Sequence, residues 1–379
     1  MIIQSTRVWL NESFKKAALE IENGKIKEIY PYGSKENVVD YGNNRILPGL
    51  IDIHCHGYKG MTCNEVTREG MREWAYDLLK EGCTSFEATT STAAMEDLDK
   101  SFPILVDIMD EGTGGAEIVG IHIEGPLISP EFRGAQELTQ LVKPSIEVMQ
   151  KWQKLARGKI NVVAIAPEMD DNHQTIKWCK ENHIQVALGH TGASYEECLQ
   201  ASLDGASSFT HTYNGMKGLH HREPGVVGAA LSLDGMYAEL IGDGVHVNFV
   251  PAKILARAKG KDKLILITDS VQVKGLPMGR YQKGLEIVDV KEDGCAYLPS
   301  GKLAGSSNKL IDEVRKMIEI AGADPVTIIN ATTKNPATFL GIENSKGQLL
   351  RGYDADIIVI DDNYKVLTTL KDNQVYNWN

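Results

Sequence analysis

The sequence lacks the features that mark several classes of protein. Its 379 residues include 40 Lys and Arg against 51 Asp and Glu, a net charge of −11, so it lacks the positive excess with which proteins bind nucleic acids or anionic membranes. No stretch approaches the ~18–20 apolar residues of a membrane span, and the first residues lack the apolar core of a signal peptide. The P-loop, G-x-G-x-x-G and G-x-S-x-G motifs are also missing. We therefore expect neither a nucleic acid nor a membrane as a partner.

Paired cysteines are missing as well. The six cysteines include no C-x-x-C pair, and their spacing matches neither a zinc finger nor the disulfide framework of a secreted domain. The sequence therefore predicts free thiols and a cytoplasmic location. Apolar residues make up 42% of the chain and charged residues 24%, as in ordinary globular proteins, and a chain of this length can bury a large core without cross-links.

Both ends of the chain have the pattern of β-hairpins. Apolar and polar residues alternate over residues 19–22 and 25–29, on either side of Asn23-Gly24, a pair that favours the positive φ angles of a tight turn. Residues 356–360 and 365–367 repeat this pattern around a polar turn. Since neither end has enough strands to be stable alone, we expect residues 1–48 and 345–379 to form one small β-sandwich domain.

The middle of the chain, residues 49–344, alternates between strand and helix patterns. Eight short runs rich in β-branched residues are predicted strands: residues 50–53, 84–88, 118–123, 162–165, 185–188, 208–210, 237–241 and 264–268. Helical segments follow them, such as residues 71–79 with apolar side chains at i, i+3, i+4, i+7 and i+8, and the capping-box pair Ser194 and Glu197. This alternation predicts an α/β fold, a (β/α)8 TIM barrel. The long connection 272–306 contains a hairpin-like pair of strands, 285–290 and 295–298, and connections of that length are often functional.

Side chains able to bind a metal or a proton stand at the ends of five predicted strands: His54 and His56, Glu124, His190, His211 and Asp269. In a (β/α)8 barrel the active site is built from residues at the carboxyl ends of the strands. Alternation along a strand places His54 and His56 on one face and Cys55 on the other, so the two imidazoles can share a metal while Cys55 packs in the core. Imidazole and carboxylate ligands fit zinc, iron(II) or manganese. The sequence therefore predicts a metal centre at the mouth of the barrel.

Two further histidines lie near this predicted centre. His122 precedes Glu124 by two residues and shares its face, so it either orients a metal ligand or contacts the substrate. His246 follows the seventh predicted strand at the same end of the barrel, where it is placed to contact a substrate.

Several segments resemble those of a known family. Residues 48–57, P-G-L-I-D-I-H-C-H-G, resemble the opening signature of the amidohydrolase superfamily, and residues 352–356 resemble the return of the chain into its small β-sandwich. Within that superfamily the chain is most similar to the N-acetylglucosamine-6-phosphate deacetylases. The matching segments run in order through nearly the whole chain: residues 122–126 (H-I-E-G-P), 188–191 (L-G-H-T), 210–216 (T-H-T-Y-N-G-M), 221–225 (H-R-E-P-G), 243–246 (D-G-V-H), 268–269 (T-D) and 303–306 (L-A-G-S).

The resemblance implies a metal-dependent amide hydrolase. Its expected reaction removes the acetyl group from N-acetylglucosamine 6-phosphate, giving glucosamine 6-phosphate and acetate in amino-sugar catabolism. One or two divalent cations per subunit are implied, Zn²⁺ or Fe²⁺. The implied ligands are Glu124, His190 and His211 for the first cation and His54 and His56 for the second. Asp269 is implied as the general base and acid.

The resemblance also implies a set of substrate contacts. Asn214 and Gly215 are expected at the sugar phosphate, and His246 at the same end of the substrate. Arg222 is expected to reach the phosphate in the neighbouring active site across a dimer interface, which implies a homodimer. The remaining implied contacts line the sugar pocket: Ala135, Gln136, Leu303, Ala304 and Gly305.

One residue departs from the family pattern and leaves alternatives open. Many members have histidine where this chain has Gln136, whose amide donates a hydrogen bond but carries no charge, so N-acetylgalactosamine 6-phosphate is an alternative substrate. A deaminase or a cyclic amidase is a further alternative. Against it, residues 165–168 at the end of the fourth strand, I-A-P-E, lack the lysine that ureide hydrolases of this superfamily usually have there. A metal-stabilised barrel without catalysis is the third alternative, and it predicts no release of acetate.

Overall fold

Eight parallel strands form the central sheet of the protein. The computed structural model describes residues 1–283 and 286–378. The strands of the central sheet are β1 (Leu50–Cys55), β2 (Cys83–Ser91), β3 (Glu117–Glu124), β4 (Ile160–Ile165), β5 (Gln185–Leu188), β6 (Ala206–Phe209), β7 (Tyr237–Leu240) and β8 (Leu264–Leu266). Each strand pairs in parallel with the next in sequence. A parallel bridge between Cys55 and Ser270 joins the two ends of the sheet, so the predicted (β/α)8 barrel is confirmed.

Helices connect the strands of the barrel. They are α1 (Arg68–Lys80), α2 (Met95–Glu111), α3 (Ile146–Leu155), α4 (Gln174–Glu181), α5 (Tyr195–Asp204), α6 (Gly225–Ser232), α7 (Phe249–Lys263), α8 (Leu310–Glu319), α9 (Pro325–Thr332) and α10 (Lys334–Leu340). All five apolar residues whose spacing predicted α1 are buried. The predicted capping box begins α5, where Ser194 Oγ accepts from the backbone N–H of Glu197 at 3.1 Å. Among the described residues, a helix with the length and apolar character needed to cross a bilayer is not found.

The two ends of the chain contribute to one further sheet. Its strands are Ile2–Trp9, Phe14–Glu22, Lys25–Pro31, Val38–Asp40, Arg45–Pro48, Ile357–Ile360, Val366–Lys371 and Gln374–Asn377. Arg45–Pro48 pairs with Ile357–Ile360 in antiparallel register, which confirms that the terminal segments share a sheet. The first hairpin turns at Asn23 and Gly24, with φ angles of 52° and 72°, as the Asn-Gly pair predicts. The domain boundaries at residues 48 and 345 stay a prediction, and Asn379 lies outside the described residues.

The barrel interior changes from apolar to polar along the strands. One cluster of aliphatic side chains packs against Ala337 and Phe339 of α10: Ile51, Ile53, Val162, Ala187, Ile241, Ile265 and Ile267. The candidate ligands follow these aliphatic residues at the carboxyl ends of the strands. The fold therefore places the polar side chains together at one end of a barrel that is otherwise closed by packing.

The long connection after β8 forms its own antiparallel sheet, which we call the insert. Its strands are Gly279–Lys283, Glu286–Val290, Cys295–Tyr297 and Leu303–Ser306. The pairing of Glu286–Val290 with Cys295–Tyr297 confirms the predicted hairpin, although residues 284 and 285, the second of which was predicted to begin it, lie outside the described residues. The backbone N–H of Ser306 donates to the carbonyl oxygen of Asp269 at 3.0 Å. The insert therefore lies directly beside the chain that leaves β8.

Shorter elements complete the connections. They are the two-stranded ribbon Gly57–Tyr58 and Met61–Thr62 after β1, and the 3₁₀ segments Leu138–Gln140, Pro167–Met169 and Asp171–His173.

Candidate metal centre and active site

Glu124, His190 and His211 form the first of two clusters of candidate ligands. Glu124 ends β3, and each histidine stands two residues after the end of β5 or β6. Glu124 Oε1 lies 3.0 Å from His190 Nε2 and 2.8 Å from His211 Nε2, and the two Nε2 atoms are 3.2 Å apart. All three side chains are buried. Three ligand atoms from three strands therefore converge on one point.

His54 and His56 form the second cluster beside the first. Their Nε2 atoms are 3.2 Å apart, and Glu124 Oε2 lies 3.3 Å from His56 Nε2. Asp269 Oδ1 lies 3.3 Å from His56 Nε2 and 3.8 Å from His54 Nε2. Glu124 therefore stands between two histidine pairs. Cys55 is buried in the core, as predicted, and burial raises the pKa of its thiol well above the usual range.

In each of the four histidines of the two clusters, the Nδ1 atom contacts an oxygen atom. These Nδ1 contacts are His54 with Glu239 Oε2 at 3.0 Å, His56 with Ser91 Oγ at 2.9 Å, His190 with the Phe132 carbonyl at 2.8 Å and His211 with the Asn214 carbonyl at 3.2 Å. Carbonyl and carboxylate oxygens only accept hydrogen bonds, so Nδ1 carries the hydrogen in three of the rings. Outer oxygen atoms orient metal-binding histidines in this way.

This orientation tests whether the residues fit a metal ion. With hydrogen on Nδ1, the Nε2 atom of a neutral imidazole carries a lone pair. Two such lone pairs facing each other at 3.2 Å repel unless a proton or a metal cation lies between them, so this spacing suits a bound cation. Imidazole nitrogens with a carboxylate oxygen are ligands for zinc or iron(II). The residues present therefore fit one or two divalent cations, one among Glu124, His190 and His211 and one among His54, His56 and Asp269.

Asp269 lies at the edge of the second cluster, three residues after β8 ends. Its backbone N–H donates to the carbonyl oxygen of His54 at 3.0 Å. Burial alone would raise the pKa of Asp269, but the hydrogen bond to His56 and the nearby charge of His54 hold that pKa well below its usual range. The carboxylate is therefore ionised at neutral pH and able to accept a proton.

Three of these site residues have a left-handed backbone conformation. The φ angles are 48° at His190, 26° at His211 and 46° at Asp269. Positive φ is uncommon for residues other than glycine, and such strain collects at functional sites. The chain turns sharply where these strands end, and this turn directs each side chain into the barrel mouth.

Glu239 is a site residue that sequence reasoning missed. It lies fully buried in β7, where its carboxylate holds His54 and also accepts from the backbone N–H of His211 at 3.1 Å. His122 stacks edge-on against His54, with ring centroids 4.7 Å apart, and burial together with the charge of His54 lowers the pKa of His122 to about 4. The Nδ1 atom of His122 lies 3.0 Å from the carbonyl oxygen of Ile53, so His122 packs beside His54 and both of its predicted roles stay predictions. The signal for Glu239 was a single charged residue within an apolar strand.

Asn214 and Gly215 stand next to the first cluster. The Asn214 carbonyl oxygen holds His211, and a Cβ atom at Gly215 would lie 2.8 Å from His190 Nδ1. With a φ angle of 58° as well, position 215 requires glycine, because only glycine lets this loop approach the ring so closely. The structure thus places both predicted phosphate contacts beside the ligands, while contact with a substrate stays a prediction.

Ala135 and the end of the insert form one wall of the barrel mouth. Ala135 packs against the apolar cluster that contains Val271, Val273 and Ala304. Leu303 begins the insert strand that ends at Ser306, and Gly305 lies so close to Val271 that a Cβ atom would collide with it. The predicted lining residues therefore lie together and next to Asp269. Gln136 instead contacts Glu124 itself.

His246 is held by a hydrogen-bond network centred on Asp243, three residues earlier in the chain. Asp243 Oδ2 lies 2.6 Å from His246 Nδ1, and it also accepts from Asn308 Nδ2 at 3.0 Å. Burial alone would lower the pKa of His246, but its hydrogen bond to Asp243 raises that pKa above the ordinary value. Cys295 of the insert lies 3.4 Å from the same carboxylate oxygen. The imidazole of His246 is therefore fixed and favours the charged form.

Arg222 is exposed, unlike the other candidate residues. Its guanidinium Nη1 lies 2.8 Å from His221 Nε2, on the loop before α6. Within one chain, the structure does not bring Arg222 to the two ligand clusters.

Comparison with known proteins identifies the class to which this barrel and its ligand clusters belong. The model of the amidohydrolase family matches residues 45–377. The chain belongs to the amidohydrolase family and is a hydrolase of that family.

Individual proteins match this chain over almost its whole length. An N-acetylglucosamine-6-phosphate deacetylase of Bacillus subtilis is 38% identical over 95% of this chain and 92% of its own length, and one of Lysinibacillus sphaericus is 36% identical over 99% and 97%. An N-acetylgalactosamine-6-phosphate deacetylase of Escherichia coli is 32% identical over 94% and 93%. A solved structure of the Mycobacterium smegmatis N-acetyl-D-glucosamine-6-phosphate deacetylase, an aspartate-to-alanine mutant in complex with N-acetyl-D-glucosamine-6-phosphate, superposes with a TM-score of 0.92 at 26% identity, covering 99% of this chain and 98% of the other. The resemblance seen in the sequence is therefore confirmed.

Proposed function

We propose that this protein hydrolyses the acetamide bond of N-acetylglucosamine 6-phosphate, giving glucosamine 6-phosphate and acetate in amino-sugar catabolism. The observation that carries the proposal is the position of Glu124 between two pairs of histidines with the ionised Asp269 beside them. Membership of the amidohydrolase family supports hydrolysis, and relatives of this name along nearly the whole chain support the substrate.

The reaction needs one group that takes a proton and later returns it. Glu124, His190 and His211 would hold one divalent cation and His54 and His56 a second, and a bound cation would supply the Lewis acidity that lowers the pKa of water toward ~7. Asp269 accepts the proton of the attacking water while the water oxygen bonds to the acetyl carbon. The same carboxyl group then gives the proton to the nitrogen as the C–N bond breaks, because an amine leaves readily only when protonated.

The proposal assigns the remaining residues to holding the sugar phosphate. Asn214, Gly215 and His246 contact the substrate beside the centre, and the wall of Ala135 with residues 303–305 lines the sugar. Phosphate recognition fixes the register of the acetamide against the catalytic group, which lowers the barrier by positioning. A single phosphate needs only a local cationic site, so the net charge of −11 does not oppose it.

We also propose the identity of the metal, the oligomeric state, the location and the domain boundaries. The cations are Zn²⁺ or Fe²⁺, in keeping with the nitrogen and oxygen donors. The protein is a homodimer in which Arg222 reaches the neighbouring active site, which accounts for the exposure of Arg222 in one chain. It is cytoplasmic, which agrees with six buried cysteines that are all free. Residues 1–48 with 345–379 form the small domain, and residues 49–344 form the catalytic barrel.

Release of acetate tests the proposed reaction. We expect acetate from N-acetylglucosamine 6-phosphate with a higher kcat/KM than from the N-acetylgalactosamine epimer or the unphosphorylated sugar, with metal content measured on the same sample. Failure to release acetate from any of these sugars would overturn the proposal and favour a barrel without catalysis.

The galacto-configured substrate is the alternative that a specific observation favours. The Escherichia coli relative has this name, and Gln136 replaces the histidine of many family members. A higher kcat/KM for N-acetylgalactosamine 6-phosphate in the same experiment would establish that alternative.

The phosphate role of Arg222 predicts a selective effect on KM. We expect Arg222→Ala to raise KM for the phosphorylated sugar about 10-fold or more with little change in kcat, because a hydrogen bond to a charged group contributes ~1.5–3 kcal/mol. Steady-state kinetics with and without the phosphate measure this. Arg351→Ala is the matched control, because its side chain is 76% exposed. An unchanged KM in Arg222→Ala would contradict the assignment.

A further inference from the structure

Both the oxygen and the nitrogen of the Gln136 side-chain amide have hydrogen-bond partners. It lies on the loop after β3, where its backbone N–H donates to the Arg133 carbonyl at 3.1 Å. The backbone N–H of Thr92 donates to Gln136 Oε1 at 3.0 Å, and the Thr92 hydroxyl contacts the same oxygen. At the other end, Gln136 Nε2 lies 3.1 Å from Glu124 Oε2.

These partners determine which way the amide faces. A backbone N–H can only donate, so the atom opposite Thr92 must be the amide oxygen. The amide nitrogen, which only donates, then faces Glu124, and a carboxylate is the acceptor it requires. The orientation of Gln136 is thus set by a group of the main chain, independently of Glu124.

The backbone around Gln136 is also built for this contact. Gly125, which directly follows Glu124, has a φ angle of 88°. A Cβ atom at Gly125 would collide with both Gln136 Oε1 and Thr92 Oγ1. Glycine at this position therefore permits the close approach of Gln136 and Thr92 to the chain that carries the ligand.

The hydrogen bond from Gln136 restricts the rotation of the Glu124 carboxylate. Its Oε1 atom lies 2.8 Å from His211 Nε2, while its Oε2 atom lies 3.3 Å from His56 Nε2 and accepts from Gln136. If the carboxylate rotated about its terminal C–C bond, one of its oxygens would no longer face its histidine. The amide N–H resists that rotation, as hydrogen bonds to ligating carboxylates do.

We propose that Gln136 is a positioning residue for Glu124, holding one carboxylate oxygen toward His190 and His211 and the other toward His56, so that the affinity for metal depends on the amide N–H. The inference rests on the metal centre of the proposed function, but it concerns metal binding and not the identity of the sugar. It also gives Gln136 a role different from the contact with substrate that the family resemblance implies.

Zinc binding without substrate tests this role. The protein is stripped with a chelator, equilibrated with buffered free Zn²⁺, and its zinc content measured per subunit. We expect Gln136→Leu, which keeps the volume and removes the donor, to weaken zinc binding ~10–100-fold, the usual effect of removing an outer partner of a ligand. Gln136→Glu should weaken it further, since it sets a second carboxylate against Glu124. Gln136→His should restore binding, because a neutral imidazole also has one donor and one acceptor.

Controls separate this role from a general loss of structure. Gln200→Leu on the exposed side of α5 should bind zinc like the unaltered protein. Thr92→Val removes only the hydroxyl that contacts Gln136 Oε1 and should weaken binding less than Gln136→Leu, and circular dichroism monitors folding of each variant. Zinc binding by folded Gln136→Leu and Gln136→Glu equal to that of the unaltered protein, with only KM for the sugar changed, would overturn the proposal and leave Gln136 as a substrate contact. Because zinc is measured without sugar, a failed test of acetate release does not affect this result.

Discussion

Asp269→Asn should lower kcat by at least ~10²-fold, the scale of a general acid–base contribution, while metal content stays unchanged. The amide keeps the size of the carboxylate but cannot accept the proton of water at neutral pH. The backbone N–H of residue 269, which donates to His54, is unaffected by the change, so folding should be preserved. Acetate release under saturating substrate, with metal content measured on the same preparation, provides the test.

A matched control exists for this variant. Asp362→Asn alters an aspartate whose side chain is 71% exposed in the turn between strands Ile357–Ile360 and Val366–Lys371, so its kcat should equal that of the unaltered enzyme. Turnover of Asp269→Asn close to the unaltered value would remove Asp269 from the proposed mechanism and require another proton acceptor.

Glu124→Gln should abolish both metal retention and activity. The carboxylate is the only side chain that faces both histidine pairs through its two oxygens among the described residues, and a neutral amide offers one weaker oxygen ligand. We therefore expect metal affinity to fall by more than the ~10–100-fold that loss of an outer partner causes. Metal analysis after dialysis against a chelator, together with acetate release, measures the effect.

Glu181→Gln at the exposed end of α4 serves as the control and should retain metal and turnover. If Glu124→Gln kept its full complement of metal, the arrangement of ligands proposed for this centre would be wrong. If it lost metal but retained kcat, the centre would be structural and not catalytic.

The candidate ligands converge as the sequence predicted, because that prediction used alternation along a strand and the position of residues at strand ends. Alternation placed His54 and His56 on one face, and the structure brings their Nε2 atoms to 3.2 Å. The parallel barrel then brings Glu124, His190 and His211 together, because the carboxyl ends of its strands meet at one rim. These steps depend on neighbours in the chain and on one rule of the fold.

The partners that orient these ligands escaped prediction. Glu239 holds His54 from a strand 185 residues away in sequence, and Thr92 orients Gln136 across 44 residues. A polar side chain in a strand or directly after one has the same local sequence pattern whether it faces a candidate ligand or another polar group. Only the register between strands decides its partner.

The sequence by itself therefore determined the barrel, the pairing of the terminal hairpins and the set of candidate ligands, because hydrophobic periodicity and turn residues act over a few neighbours. The tertiary structure alone decided that Gln136 contacts Glu124 and that Glu239 holds His54. It also showed that Asp243 holds His246. These are distances of about 3 Å between atoms on different strands and loops, and hydrogen bonding at that range depends on packing of the whole barrel.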